Sequence, residues 1–283
     1  MPVAVVTDST AYLPPDEASR YGITVVPVTV VVGDREFLDG SQISAEAVSS
    51  ALRVSSKVTT SRPSPERFAD VYEAAAADGA TGVVSVHLSG AMSGTVDVAR
   101  LAAQSAPVPV EIVDSRSVGM GLGFAVLAAG VSASLGEPLF SVASAARRCA
   151  GGTFSFFYVD SLEYLRRSGR IGVAAGLLGS ALSVKPLLHV SGGTVSVLEK
   201  VRTSSRALSR LEDLAVVAAG DEVVNLGVQH MGAAERAAGL VERLRGRVPK
   251  VAGVWVGEIG AAIGAHTGPG VVGVTVAPSG LGD

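Results

Sequence analysis

The stretch Val83-Val84-Ser85-Val86-His87-Leu88-Ser89-Gly90-Ala91-Met92-Ser93-Gly94-Thr95 decides how this chain is read. Its β-branched opening has the length and flanks of a buried strand. Val96-Asp97-Val98-Ala99-Arg100-Leu101-Ala102-Ala103, which follows, has the spacing of a helix. A strand that feeds a helix through Ser, Gly and Thr leaves backbone N–H groups free at the helix start. Those donors, the helix dipole and nearby hydroxyls suit an anionic head group, and Ser93 is the side chain best placed to join them.

The alternation continues upstream. Residues 3–6 read as a strand ending in Thr7-Asp8-Ser9-Thr10, and residues 23–38 as a hairpin-like excursion that turns at Gly33-Asp34-Arg35-Glu36. A helix opens at Ser44 and ends before Lys57. The loop Val58-Thr59-Thr60-Ser61-Arg62-Pro63-Ser64-Pro65 then precedes a helix over 66–77 that presents Phe68, Val71 and Tyr72 on one face. Downstream, a strand over 108–113 closes at Asp114-Ser115, and helices follow over 123–135 and 139–150. Strands alternating with helices predict a parallel sheet covered on both faces, a three-layer α/β/α domain over residues 1–150. Ligands of such sheets sit beyond the carboxyl ends of the strands. Here those ends carry Asp8-Ser9-Thr10, Ser89 with Ser93, and Asp114-Ser115, with the Thr60-Ser61 loop beside them. A rim rich in hydroxyls and poor in general bases holds a head group better than it breaks a bond.

Gly151-Gly152 marks the boundary with a second domain over 151–283. Its strands over 153–159, 223–228, 251–256 and 271–276, its hairpin over 185–202 and its helices over 208–219 and 233–244 predict a mixed-sheet α/β domain. Ile263-Gly264-Ala265-His266-Thr267-Gly268-Pro269-Gly270 reads as a turn into the last strand, with backbone N–H groups and the His266 ring converging on one ligand atom.

Composition narrows the class. The chain has 283 residues, 48% hydrophobic and 17% charged, which points to a folded core and against disorder. Mean hydropathy is +0.43, yet no apolar run approaches the roughly 18–20 residues of a spanning helix. The opening Met1-Pro2-Val3 has no basic segment of a signal peptide, and the single Cys149 excludes an internal disulfide, so a cytoplasmic protein is expected. A net charge of −3 gives no reason to expect nucleic acid as a partner.

Recognisable catalytic motifs are missing from the sequence. It has no P-loop. Gly119-Met120-Gly121-Leu122-Gly123 lacks the third glycine of a dinucleotide fingerprint, because Phe124 stands there. Gly90-Ala91-Met92-Ser93-Gly94 is one residue out of register with a nucleophile elbow. His87, His189, His230 and His266 show no metal-ligand spacing; the first three read as structural or surface residues, and Cys149 as a small core residue. No metal and no cofactor is expected. The cluster Arg166, Arg167, Arg170 reads equally as a solvated face and as a phosphate or partner contact.

Several motifs in one order carry a family resemblance. They are Thr7-Asp8-Ser9-Thr10, Val25-Val26-Pro27-Val28 with Asp39, Thr60-Ser61-Arg62-Pro63-Ser64-Pro65, Met92-Ser93-Gly94-Thr95 and Val113-Asp114-Ser115. Leu162-Glu163-Tyr164-Leu165-Arg166-Arg167-Ser168-Gly169-Arg170-Ile171, Lys185-Pro186, Lys200-Val201-Arg202 and Gly264-Ala265-His266-Thr267-Gly268-Pro269-Gly270 follow. Over essentially its whole length the chain resembles the DegV family of fatty-acid-binding proteins, which includes the FakB carrier subunit of bacterial fatty acid kinase. The resemblance implies a two-domain α/β carrier, not itself an enzyme, that encloses one long-chain acid of roughly C16–C18 in an apolar tunnel, the methylenes supplying the driving force. It implies carboxylate contacts from Thr60, Ser61 and Ser93, with His266 close by. It further implies an ATP-binding kinase subunit as partner, a place in phospholipid metabolism, at most transient membrane contact, and Arg170 and Arg202 as kinase-docking or phosphoryl-contacting residues. A kinase-independent lipid sensor and a Ser93-dependent acyl hydrolase are the alternatives. The chain departs from the family pattern at Arg62, where Gln is expected, at Gly90, where a second Ser is common, and at Ser168, where Gly is common.

Overall fold

Valine-rich strands that must hide both faces dictate the first half of the fold. In the computed structural model, which describes residues 2–54, 57–171 and 184–280, four strands form a parallel sheet in the order Thr24–Val26, Val3–Asp8, Gly82–His87, Val110–Asp114. Helices Pro65–Ala77 and Thr95–Ala103 pack on one face, and Met120–Ser134 and Leu139–Gly151 on the other. All six residues of the central Gly82–His87 strand are buried as a result. The two-residue period of a strand puts Val6 and Asp8 on the same face as Val83, Ser85 and His87. That face meets Phe68 and Tyr72 of the Pro65–Ala77 helix, both 0% exposed. The architecture is the expected three-layer α/β/α.

A six-stranded sheet dominates the second half, in the order Thr194–Val201, Lys185–Ser191, Phe154–Tyr158, Val272–Pro278, Val224–His230, Val251–Glu258. Its pairings are antiparallel except the last, which is parallel, so the sheet is mixed as expected. Helices Ser204–Ala219 and Ala234–Arg247 bury Leu211, Ala215, Leu240 and Leu244 against Leu187, Leu226 and Val274.

The chain divides into two compact units, one drawn from Met1–Thr29 and Ser61–Gly152, the other from Val30–Thr60 and Thr153–Gly280. This differs from the expected division at 1–150 and 151–283 in the placement of Val30–Thr60. Residues 172–183 and 281–283 of the expected second domain, and positions 55 and 56 before Lys57, lie outside the described residues. Two contacts tie the Val30–Thr60 segment to the second unit. Buried Asp39 accepts the Ala262 N–H through Oδ1 at 3.1 Å, and helix Ala45–Arg53 packs on helix Ala261–Thr267. Gly264 of the second helix leaves room for Met231, since a Cβ there would stand 2.7 Å from its Sδ, with Val48 of the first helix at 4.0 Å.

The expected excursion over 23–38 is cut in two. Pro27 offers no N–H to a ladder, and the Val28 N–H donates instead to Ser9 Oγ at 3.1 Å. Thr24–Val26 therefore joins the parallel sheet, while Thr29–Val32 pairs between Arg35–Leu38 and Val58–Ser61 in a separate three-stranded sheet.

An ion-pair network crosses the outer helices of the second unit. Glu212, 6% exposed, accepts from Arg243 Nε and Arg247 Nη1, each at 2.8 Å. Arg247 also reaches Asp213, which Arg210 shares with Glu199. Burial pushes the Glu212 carboxyl up, but the Arg247 and Arg243 hydrogen bonds outweigh it and leave the group below its ordinary value. A depressed carboxyl contributes stability above its unfolded pKa that is lost as pH falls. Glu212→Gln is accordingly expected to cost about 1–2 kcal/mol at neutral pH, the arginines being half-exposed and screened. Urea unfolding should show that cost shrinking toward acid pH; a cost independent of pH would assign it to packing.

Candidate functional site

The carboxyl ends of the first unit's strands form a hydroxyl-lined rim built on Asp8. Its Oδ1 accepts from the Thr10 N–H at 3.1 Å and from the Thr10 hydroxyl; its Oδ2 accepts from the Leu88 N–H at 3.1 Å and from His87 Nδ1 at 3.0 Å. One carboxylate thus anchors the segments leaving both central strands. Past Leu88 the chain turns tightly, the Ser89 carbonyl accepting from Met92 N–H at 3.0 Å and Ser93 N–H at 3.1 Å. This turn delivers Ser93 to the start of helix Thr95–Ala103. Gly94 is the N-cap there and, among the described residues, no side chain caps the first turn, so the helix begins with N–H donors open to a ligand. Ser93 Oγ and Thr95 Oγ1 share a hydrogen bond of 2.9 Å.

Two departures from the family pattern have a structural meaning. The Gly90 N–H donates to Asp114 Oδ2 at 3.2 Å, and a Cβ at Gly90 would sit 3.0 Å from that oxygen. A serine there would crowd the carboxylate that holds the turn. Arg62 lies with its guanidinium over Gly94, in the space a Cβ would take.

In the second unit, Thr60 Oγ1 and His266 Nε2 are 2.8 Å apart, although 206 residues separate them in sequence. His266 sits in the last turn of helix Ala261–Thr267 and not in a turn as expected; the turn begins two residues beyond His266, at Gly268, whose φ of +73° ends the helix. Burial first, and the positive charge of Arg170 second, push the His266 ring down to about 4, so it is neutral at physiological pH. Its Nδ1 is buried and has no hydrogen-bond partner among the described residues. A neutral imidazole bonded on one side and unpaired on the other is an incomplete polar site.

The remaining expected residues are placed as follows. Ser61, exposed, ends the strand Val58–Ser61, so Thr60 and Ser61 lie on a strand and not in a loop. Arg170 is exposed, donates to the Ser168 carbonyl and acts on His266. Arg202 is exposed, directly beyond strand Thr194–Val201. Cys149 is buried, as expected.

A fully buried chain of polar groups escaped the sequence reading. Tyr72, Ser85, His87 and Asp8 are each 0% exposed. The Tyr72 hydroxyl donates to Ser85 Oγ at 2.9 Å, Ser85 Oγ bonds His87 Nε2 at 2.7 Å, and His87 Nδ1 meets Asp8 Oδ2. Phe68 packs edge-on against the His87 ring, 5.1 Å between centroids. The order Ser–His–Asp is that of a nucleophilic triad, but no substrate reaches a serine with no exposed surface. His87 is the histidine of this unit and is committed to that chain, while the Ser93 hydroxyl bonds Thr95. The available signal was the pair Ser85 and His87, two polar residues two apart in an otherwise apolar strand. No group of His, Cys, Asp and Glu among the described residues is arranged to hold a metal ion, and no helix among them is long and apolar enough to cross a membrane.

Comparison with known proteins follows this geometry. The family model "Uncharacterised protein, DegV family" matches residues 2–279. A DegV domain-containing protein of Streptomyces coelicolor is 53% identical over 274 residues, covering 97% of this chain and 98% of its own. A fatty-acid-binding DegV family protein from Thermus thermophilus has a structure similar with a TM-score of 0.93 at 35% identity, over 98% of this chain and 100% of that one. DegV of Bacillus subtilis, a fatty acid binding protein, matches with a TM-score of 0.89 at 28% identity, over 99% of this chain and 100% of that one.

Proposed function

The chain belongs to the DegV family, and we propose that it is a cytoplasmic carrier that binds one long-chain fatty acid and presents the carboxyl group to an ATP-binding kinase subunit. The observation that carries the first part is the likeness, over nearly the whole chain, to the fatty-acid-binding protein of Thermus thermophilus. The local chemistry supports it. Ser93 with the helix N–H groups beside it is one donor set suited to a carboxylate that has lost its water, Thr60 with the half-satisfied His266 is another, and Ser61 is a further hydroxyl donor. The alkyl tail supplies the affinity, about 0.8 kcal/mol for each CH₂ withdrawn from water before the costs of binding; the head group supplies orientation. Nothing in this arrangement activates a nucleophile, which favours a carrier over an acyl hydrolase.

Native mass spectrometry of the freshly purified protein tests the reading directly. One added mass matching a long-chain acid is expected, and a clean apoprotein mass after gentle purification overturns it. Ser93→Ala should keep the fold and weaken ligand retention, read as a smaller rise in Tm on adding oleate; an unchanged rise removes Ser93 from the site. For the kinase step, Arg170 and Arg202 offer exposed guanidinium groups to a partner or its transferred phosphoryl group. Arg170→Ala is expected to bind lipid normally and to impair acyl-phosphate formation with the ATP-binding subunit. Should wild-type protein, that subunit and ATP yield no acyl phosphate, the carrier reads instead as a kinase-independent lipid sensor.

A further inference from the structure

We infer that Arg62 selects a phosphorylated head group over a plain carboxylate at the Ser93 site, an assignment that rests on the fatty-acid reading above. The guanidinium is seated on Gly94, the residue between Ser93 and Thr95. A Cβ at position 94 would strike Arg62 Nη1 and lie 3.2 Å from its Cδ and 3.4 Å from its Cζ. Glycine at the N-cap therefore makes room for this arginine, and its φ of −73° is one that any residue adopts, so backbone freedom is not the reason for it.

Position, not charge pairing alone, sets Arg62 apart: it is exposed and, like Arg20, Arg67 and Arg148 of the same unit, it has no carboxylate partner among the described residues, but it alone of these lies over Gly94. Both acids of the rim are engaged elsewhere: Asp8 is sealed with His87, Thr10 and Leu88, and Asp114 takes the Gly90 N–H on Oδ2 at 3.2 Å and the Arg116 N–H on Oδ1 at 2.8 Å. An unpaired guanidinium thus stands one residue from a hydroxyl that the proposed ligand uses.

The chemistry of the ligand distinguishes its two states. A carboxylate needs a few neutral donors, which hydroxyls and helix N–H groups supply. A phosphate adds oxygens and carries roughly −1.5 to −2 at pH 7, and the planar fork of arginine matches two of those oxygens at once. Arg62 accordingly contributes little to holding the free acid and much to holding the acyl phosphate after transfer.

The test displaces a fluorescent fatty acid from the delipidated full-length chain with palmitate, hexadecyl phosphate or hexadecanol. Wild type should prefer hexadecyl phosphate to palmitate. Arg62→Gln should weaken hexadecyl phosphate about tenfold while palmitate and hexadecanol move less than about twofold. Arg62→Lys should fall between, keeping the charge without the fork. Gly94→Ala leaves Arg62 in the chain but fills its seat, and should reproduce the selective loss. If Arg62→Gln weakens all three ligands equally, or none of them, the Arg62 assignment is overturned while the fatty-acid reading stands. A wild type that binds none of the three overturns that reading, and this one with it.

Discussion

Replacing Asp8 with alanine is expected to cost about 3–5 kcal/mol of stability, among the largest effects of any single substitution in this chain. The carboxylate is wholly buried, and its two oxygens receive two backbone N–H groups, a hydroxyl and an imidazole. Alanine strands all four donors in a site no water reaches. Burial pushes the Tyr72 hydroxyl up to about 12, so it keeps its proton and donates to Ser85. Ser85 Oγ shares the next bond with His87 Nε2, and His87 Nδ1 is directed at Asp8 Oδ2. A graded series follows. Tyr72→Phe removes a terminal donor and leaves Ser85 still bonded to His87, for about 1 kcal/mol. Urea unfolding at neutral pH, with unchanged m, is the measurement. Equal small losses for Asp8→Ala and Tyr72→Phe would show that the chain of bonds contributes little as a unit. Because Asp8 also holds Leu88, which leads into the turn that positions Ser93, Asp8→Ala should weaken ligand retention too.

The second large effect is a pH dependence. His266 is held at about 4 in the folded protein against an ordinary value near 6.5. The unfolded chain therefore takes up a proton at a pH where the folded chain does not. Stability from this group is complete above about pH 6.5 and is lost as pH falls toward 4, by about 2–3 kcal/mol in all. His266→Gln keeps a hydrogen-bonding partner for Thr60 and removes the titration. Ligand-free wild type and His266→Gln should accordingly converge in stability between pH 6.5 and 4, with the wild type losing more. Carboxyl groups titrate over part of the same window in both proteins, so the difference between the two curves is the readout. Parallel curves would mean that His266 is not held neutral by its surroundings.

Much of this architecture is legible locally. The Val83–Val86 run, the hydroxyls after it and the apolar spacing of 96–103 identify a strand, a turn and a helix from residues adjacent in the chain, and periodicity places Phe68 and Tyr72 on a buried face. The head-group residues were found by type and by family pattern: hydroxyls beyond strand ends and a histidine beside glycines.

Other features depend on contacts between distant residues. Pro27 is visible in the sequence, but that the chain parts there between two sheets depends on Ser9 accepting the Val28 N–H. The seven-residue helix carrying His266 is too short and too rich in glycine and alanine to declare itself by periodicity, and Asp39, 223 residues away, caps it.

What the sequence by itself determined is the alternation of strands and helices, the parallel and mixed sheets, and the hydroxyl-bearing segments at the strand ends, because hydrophobic period and turn chemistry act over a few residues. Only the tertiary structure decided that Val30–Thr60 joins the second unit, that Thr60 meets His266, that Asp8 and His87 are sealed with Ser85 and Tyr72 away from any substrate, and that Gly94 seats Arg62. Each of these is settled by burial and hydrogen-bond pairing between residues far apart in the chain, where the cost of an unpaired polar group selects the partner and no local pattern records it.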